Sequence, residues 1–331
     1  MEIGWDRLAS LCSTAITTAG GDEHTAAALT DAVIAAERRG NSIVGVAHLF
    51  DYLDALRAGR LNGRARPIVR QDRASVIAVS ADDGVAQLAF GAALADFTAA
   101  ARANGVAVLS VSDAFTVGEL GYYTSEVADR GLIALAGANS PAVMSLYGAP
   151  AALTGTNPFS FALPAQPTPR LIDQASSAAA WVKIREAASA GEPIPEGWAL
   201  DADGAATTDA SAALLGPLLP FGGVKGSNIA VVIELLSVLS GAAFSMDAPD
   251  FASGADSPGV GLFLLALDPA AFASDYLQRV EAHFERLRVQ FGIDFGRHLP
   301  PVQRMRLAEH LYHRLTASAC PTTTPEGDIR A

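Results

Sequence analysis

The chain has 331 residues, half of them hydrophobic, and a formal net charge of −12. That length can bury a large core in one or two domains, while the acidic balance works against nucleic acid and anionic membrane surfaces as partners. Two cysteines, Cys12 and Cys320, exclude a disulfide framework or a thiolate metal cage. With no apolar signal core at Met1–Ser10 and no uncharged apolar run of about 18 residues, a soluble cytoplasmic protein is expected.

The first 65 residues read as helices. Gly20 and Gly21 separate a first helix from a second running from near Asp22 to Arg39, and a third covers roughly Gly45 to Ala58, stopping at Gly59. From Ala74 the pattern changes. Ala74 to Ser80 and Val106 to Val111 are β-branched runs flanking a helical stretch from Val85 to Ala103. A strand–helix–strand unit implies an at least partly parallel sheet. Leu132 to Ala136 and Phe159 to Leu163 are further strands, and Arg170 to Asp173 leads into a helix from about Ala178 to Ser189. Ser227 to Ala243 is expected as a buried helix, Val260 to Leu267 as a buried strand, and Pro269 to Gln290 and Pro301 to Ala317 as closing helices. The Thr/Pro/Gly-rich tail from Pro321 is expected to be disordered.

Two loops stand out. Gly191-Glu-Pro-Ile-Pro-Glu-Gly-Trp-Ala-Leu-Asp-Ala-Asp-Gly204 gathers four acids and a Trp, and Pro220-Phe-Gly-Gly-Val-Lys-Gly226 opens onto an apolar helix. Free N–H groups at that helix start, with Lys225, suit an anion. In Asp173-Gln-Ala-Ser-Ser177, Ser176 and Ser177 either cap the next helix or offer hydroxyls and amides to a phosphate. In Gly155-Thr-Asn-Pro158, Thr156 and Asn157 either contact a ligand or form a turn. Neither Gly-x-Gly-x-x-Gly after a strand nor Gly-x-x-x-x-Gly-Lys-Ser/Thr occurs, which disfavours an ordinary Rossmann or P-loop site. No Gly-x-Ser-x-Gly elbow supports a serine hydrolase. The six histidines show no metal-ligand spacing, so no metal is expected.

Taken in order, Gly121-Tyr-Tyr123, Gly155-Thr-Asn-Pro158, Asp173-x-Ala-x-Ser177, Gly191-Glu-x-Ile-Pro-Glu-Gly-Trp-Ala-Leu-Asp201 and Gly222-Gly-x-Lys-Gly226 resemble the type-2 malate/L-lactate dehydrogenase family. That family includes ureidoglycolate, L-sulfolactate and diketogulonate dehydrogenases and the cyclic-ketimine reductases. The resemblance covers about Asp22 to Leu315. It implies a non-Rossmann α/β fold like that of L-sulfolactate dehydrogenase, a three-layer α/β/α arrangement on a mixed sheet with a terminal helical domain. The implied division is a helical domain over residues 1–72, a cofactor-binding domain over 73–295, a helix over 296–318 packing back on the first domain, and a tail over 319–331. It also implies a homodimer with active sites near the subunit interface, NADPH or NADH as hydride source, and a small-molecule substrate. Ile172, Asp173, Ala175, Ser176, Ser177, Val224 and Lys225, with Thr156 and Asn157, are then assigned to the cofactor. Pro300-Pro-Val-Gln303 falls where the family has a cofactor-contacting Pro-Gly-Glu turn, but matches it poorly.

The chain departs from the family in the reaction chamber. The family's Ser-His-Gly and following Arg align with Ile43-Val44-Gly45 and His48. Its proton-donating histidine falls on Val44, its carboxylate-pairing arginine on His48, and a second histidine on Thr116 of Phe115-Thr-Val-Gly118. Ketone reduction builds negative charge on oxygen, where a positioned acid contributes about 10²–10⁴-fold. A protonated imine brings its own charge. His48, placed one turn beyond Val44 on the same helix face, is either a displaced proton donor or a packing residue. His48, Asp201 and Tyr52 are therefore assigned to the catalytic side, and Val44, Thr116 and Tyr147 to the pocket. The leading expectation is an NAD(P)H-dependent reductase of a C=N bond. The alternatives are a 2-oxo acid reductase using His48 or water as the acid, and a divergent member with a binding or non-redox role.

Overall fold

The computed structural model describes residues 1–250, 252–295 and 305–320. The chain opens with strand β1 (Glu2–Ile3), then helices α1 (Trp5–Thr18) and α2 (Glu23–Arg38), a 3₁₀ turn at Ser42–Val44, and α3 (Val46–Ala58). There follow β2 (Ile68–Arg73), β3 (Val76–Ser80), α4 (Ala86–Asn104), β4 (Val106–Ala114), α5 (Leu120–Ala128), β5 (Ile133–Ala138), β6 (Phe159–Leu163) and β7 (Arg170–Gln174). A smaller lobe carries α6 (Trp181–Ala190), β8 (Ala199–Leu200), β9 (Ala206–Thr207) and α7 (Ala210–Ala213). The chain then returns through α8 (Val224–Ser237), β10 (Val260–Leu267), α9 (Tyr276–Phe291), β11 (Met305–Arg306) and α10 (Glu309–Ser318).

Seven strands form one sheet in the order β2-β3-β4-β10-β5-β6-β7. Only β3 and β4 pair in parallel; every other neighbour is antiparallel. The parallel pair is the one joined by α4, because a crossover helix is what returns a chain to the same end of a sheet. Register places Ile77, Leu109, Leu264, Ala136, Ser160 and Asp173 in one row across six strands. The row is apolar in its first four members and packs beneath α4 and α5, joining Phe90, Phe97 and Tyr123 in the main core. It turns polar toward the edge strand β7, and its last member is a residue of the expected cofactor turn. On the opposite face Ile233 of α8 packs on Gly137 of β5, where a Cβ would meet its methyl at 2.9 Å. The result is the three-layer mixed-sheet arrangement.

A second cluster joins α1, α2 and α3 to Met305, Leu307 and Leu315, with Val85 and Phe115 reaching in from the sheet domain. A third, built from Met144, Leu146, Ile184, Ile194, Ala199, Leu218 and Ala230, is the core of the smaller lobe.

Several boundaries differ from expectation. Polar β2 (Ile-Val-Arg-Gln-Asp-Arg) and short α5 lacked a clear periodic signature. The helix expected from Ala178 begins at Trp181, because Ala178 N donates to Leu219 O at 2.7 Å and holds the preceding residues extended. Pro269–Ala271 is a 3₁₀ turn ahead of α9. The last helix begins at Glu309, and Pro300–Gln303 and the tail from Pro321 lie outside the described residues. Val44 and His48 do not share a helix face. Gly45, at φ −89° and ψ −131°, separates the 3₁₀ turn from α3. The largest correction concerns α8. It buries Ala230, Ile233, Glu234 and Ser237 but leaves Val232 and Leu235 exposed, and the 3₁₀ turn that follows it exposes Leu239 at 68%.

Candidate functional site

Three segments assigned to the cofactor converge. Ser176 N donates to Thr156 O at 2.8 Å, Ser176 Oγ donates to Asn157 O at 2.8 Å, and Phe221 N donates to Ser176 O at 3.0 Å. The turn after β7 is thus stitched on one side to Gly155–Pro158 and on the other to the loop that starts α8. The helix-capping reading of Ser176 and Ser177 fails, since Ser177 Oγ donates to Ala179 O at 2.8 Å and α6 has no side-chain cap. Asp173 is also engaged. Its Oδ2 accepts from Gly121 N at 2.7 Å, a free amide in the first turn of α5, where the helix dipole favours a carboxylate.

The glycines of the second loop have geometric reasons. Gly222 and Gly223 sit at φ 57° and 62°, which side-chain-bearing residues rarely adopt. A Cβ on Gly226 would overlap the Phe221 carbonyl. This tight entry leaves Lys225 exposed in the first turn of α8. Tyr147, at φ 52°, lies over the same turns. Its amide donates to Ser227 Oγ at 3.1 Å and its hydroxyl to Asn228 Oδ1 at 2.8 Å. Its hydrogen bonds thus place it against the α8 entrance.

The chamber residues gather around α3. The His48 and Tyr52 rings meet edge-on at 4.9 Å, and Tyr52 shares hydroxyl hydrogen bonds with Gln87 and Thr116. His48 Nδ1 lies 2.8 Å from Asp51 Oδ2 and donates to that carboxylate, leaving Nε2 as the outward-acting nitrogen. Its side chain is 19% exposed. Tyr52 must be corrected as a catalytic residue. It is 1% exposed, on the inward face of α3 with Leu49, Phe50 and Leu53. Burial pushes its phenol well above the usual tyrosine range, outweighing the Gln87 hydrogen bond that lowers it. It stands behind the chamber wall as a neutral group.

The wall itself is held by two carboxylates that sequence reasoning passed over. Glu119, 7% exposed, accepts from Arg39 Nε at 2.9 Å and Asn41 Nδ2 at 3.0 Å, fastening the loop before Val44 to the start of α5. Glu37, 2% exposed, accepts from Val46 N at 2.8 Å and Ser42 Oγ at 3.0 Å. Glu37 thereby holds the first turn of α3, for which Gly45 offers no side chain.

Asp201 also departs from its assignment. Its Oδ1 accepts from Asp203 N at 3.0 Å and Ala205 N at 2.9 Å, closing the turn between β8 and β9. Among the described residues no hydrogen bond or ion pair joins it to His48 or Tyr52. The Gly191–Gly204 segment is chiefly architectural. Ile194, Trp198 and Ala199 turn into the smaller lobe, while Glu192 and Glu196 face solvent. A cavity of about 610 Å³ opens between α1, α2, α5 and β7, reaching Asp173 and Arg39. Asp6, Asp31, Glu119, Glu126, Asp129 and Asp173 outnumber Arg38 and Arg39 there. Carboxylates in that excess repel an anion, so this cavity disfavours phosphate.

Comparison with known proteins agrees with this architecture. Residues 3–309 match the family model described as malate/L-lactate dehydrogenase. The chain is 36% identical over 287 residues to the (2R)-3-sulfolactate dehydrogenase (NADP(+)) of Chromohalobacter salexigens, covering 86% of each chain. It is 36% identical over 274 residues to the Delta(1)-pyrroline-2-carboxylate/Delta(1)-piperideine-2-carboxylate reductase of Pseudomonas putida, covering 81% of this chain and 80% of that one. In fold it resembles the crystal structure of delta1-piperideine-2-carboxylate reductase from Pseudomonas syringae pv. tomato, with a TM-score of 0.90 and 31% identity over 96% of this chain and 99% of that one.

Proposed function

The chain belongs to the malate/L-lactate dehydrogenase family, and on that premise we propose that it is an NAD(P)H-dependent reductase of cyclic C=N bonds in amino-acid-derived substrates. The observation that carries this reading is the chemistry of the chamber. Val44 and Thr116 cannot donate a proton at neutral pH and Tyr52 is enclosed, so in this reading the proton arrives on the substrate nitrogen.

The residues present fit a dinucleotide. Lys225 is exposed at the start of a helix of 14 residues, and the buried Asn157 Oδ1 beside the Ser176 turn has no partner among the described residues. Lys225 and the α8 amides would hold a phosphate, and the Ile172–Ser177 turn, with Thr156, would line the adjoining groove. Bound NAD(P)H supplies the hydride.

The chain's own groups set which acceptor can react. In an iminium the C=N electron pair moves to nitrogen as the new C–H bond forms, giving a neutral amine. No oxyanion develops, so an absent acid costs little. His48, held at Nδ1 by Asp51, would direct Nε2 toward the substrate carboxylate at the place of the family's arginine. One donor replaces a bidentate fork, so the carboxylate is held more weakly. A second reading, 2-oxo acid reduction with His48 as the acid, draws on the same His48–Asp51 contact, a proton-donor arrangement.

Assay of NADPH and NADH consumption separates the two. Delta(1)-pyrroline-2-carboxylate and Delta(1)-piperideine-2-carboxylate should be consumed at least ~10²-fold more efficiently than pyruvate, oxaloacetate or sulfopyruvate, the size of a lost acid. Faster turnover of a 2-oxo acid would install the second reading. We further propose a homodimer, supported by the exposed apolar stripe Val232, Leu235 and Leu239, with Phe244 and Met246 beside it.

A further inference from the structure

Helix α8 carries a buried carboxylate, Glu234, that takes no part in the proposed reaction. It is 6% exposed. Its Oε1 accepts from Ser245 N at 2.6 Å, and its Oε2 accepts from both Ser245 Oγ and Asn157 Nδ2 at 2.7 Å. The hydrogens in this network have one assignment. Ser245 Oγ accepts from Gly155 N at 3.0 Å, so its single hydrogen goes to Glu234. Asn157 Nδ2 spends its other hydrogen on Ala230 O at 2.9 Å. All three groups facing Glu234 are donors, and only an acceptor-only side chain satisfies them. A glutamine would turn N–H groups against N–H groups.

The network holds Asn157 at φ 35°, a backbone conformation uncommon for non-glycine residues though more accessible to asparagine than to most. The carbonyls of Asn157 and its neighbour Thr156 receive the hydroxyl and amide of Ser176, whose carbonyl in turn receives Phe221 N at the entrance to α8. Starting from one carboxylate, the chain of bonds runs through Gly155–Pro158 and the turn after β7, then back to the helix that carries Glu234 and Lys225. We propose that Glu234 is a positioning residue for the dinucleotide, setting the separation between Lys225 and the Asp173–Ser177 turn without touching the ligand. This rests on the proposed NAD(P)H reading of the same loops. Displacement of one half of a site relative to the other by about 1 Å costs up to ~10²-fold in rate, and it loosens the ligand that spans both halves.

The test is fluorescence titration of wild type, Glu234→Gln, Ser245→Ala and Ile77→Val with NADPH and NADH, alongside Tm. Ile77 is fully buried in β3 on the far side of the sheet from α8 and serves as the destabilised control. Glu234→Gln should weaken the better-bound dinucleotide by at least ~10-fold. Ser245→Ala, a milder lesion that keeps the carboxylate, should weaken it less but in the same direction, and decides the matter if Glu234→Gln does not fold. Ile77→Val should lower Tm and leave binding unchanged. Folded Glu234→Gln or Ser245→Ala that binds like wild type would overturn the positioning role and leave the function standing. So would an equal loss in Ile77→Val. Wild type that binds neither dinucleotide would remove both.

Discussion

At the scale of single residues, the chamber is defined by what stands where an imidazole and a guanidinium would give acid and clamp. Val44 and His48, on either side of Gly45, and Thr116, within Phe115-Thr-Val-Gly118, are assigned there by the resemblance alone. The inward turn of Tyr52 was not legible in the sequence. Tyr52 and His48 are four apart on α3, and their spacing alone does not say which one the core takes. The core takes Tyr52 because α3 packs Leu49, Phe50 and Leu53 on that side. Tyr52→Phe therefore removes a buried hydrogen bond to Gln87 and Thr116 and nothing from the reacting atoms. A loss of ~1 kcal/mol, or roughly 2 °C in Tm, should accompany a kcat on the imine within about threefold of wild type, a small step against the ~10²-fold of a lost acid. A kcat that falls ~10²-fold would return Tyr52 to the catalytic side.

Among elements, the connection from α2 to α3 decides the chamber's shape. Sequence periodicity located both helices but could not foresee that a glutamate in the last turn of α2 would hold the start of α3. Burial raises the Glu37 carboxyl above its usual value of 4.5, against the opposing hydrogen bonds from Val46 and Ser42. The folded chain thus binds this proton more tightly than the unfolded chain. That linkage contributes stability at low pH, and the contribution is lost as pH rises through the ordinary glutamate value toward the raised one. Glu37→Gln should show a flatter Tm from about pH 4.5 upward than wild type; parallel Tm curves would contradict the burial argument. Legibility of the other elements followed chemistry. β6 and β10 were read at their observed limits because they are short, bounded, largely apolar runs. α5 escaped notice because a helix of nine residues has too few turns to show its period, and its start is supplied from outside by Asp173.

On the scale of the whole molecule, the apolar reading of α8 was right about chemistry and wrong about its partner. The helix is apolar nearly all round, yet one chain covers only the face toward β5 and β10. The stripe of Val232, Leu235 and Leu239 would be covered by a second copy. Leu235→Lys should shift the protein from dimer to monomer in sedimentation or mass photometry, because a lysine ammonium cannot be buried unpaired. A wild type that is monomeric at micromolar concentration would refute this assembly.

The central claim is that the acceptor brings its own positive charge to a chamber without the family's acid. Its most direct test is the pH dependence of kcat/KM on Delta(1)-piperideine-2-carboxylate for wild type and His48→Phe. The account predicts that both rates follow the fraction of substrate present as iminium, falling together as pH rises through the imine's own pKa, with His48→Phe offset mainly through KM. Abolition of kcat at every pH in His48→Phe would contradict it, placing the proton on His48 and the enzyme among reducers of 2-oxo acids.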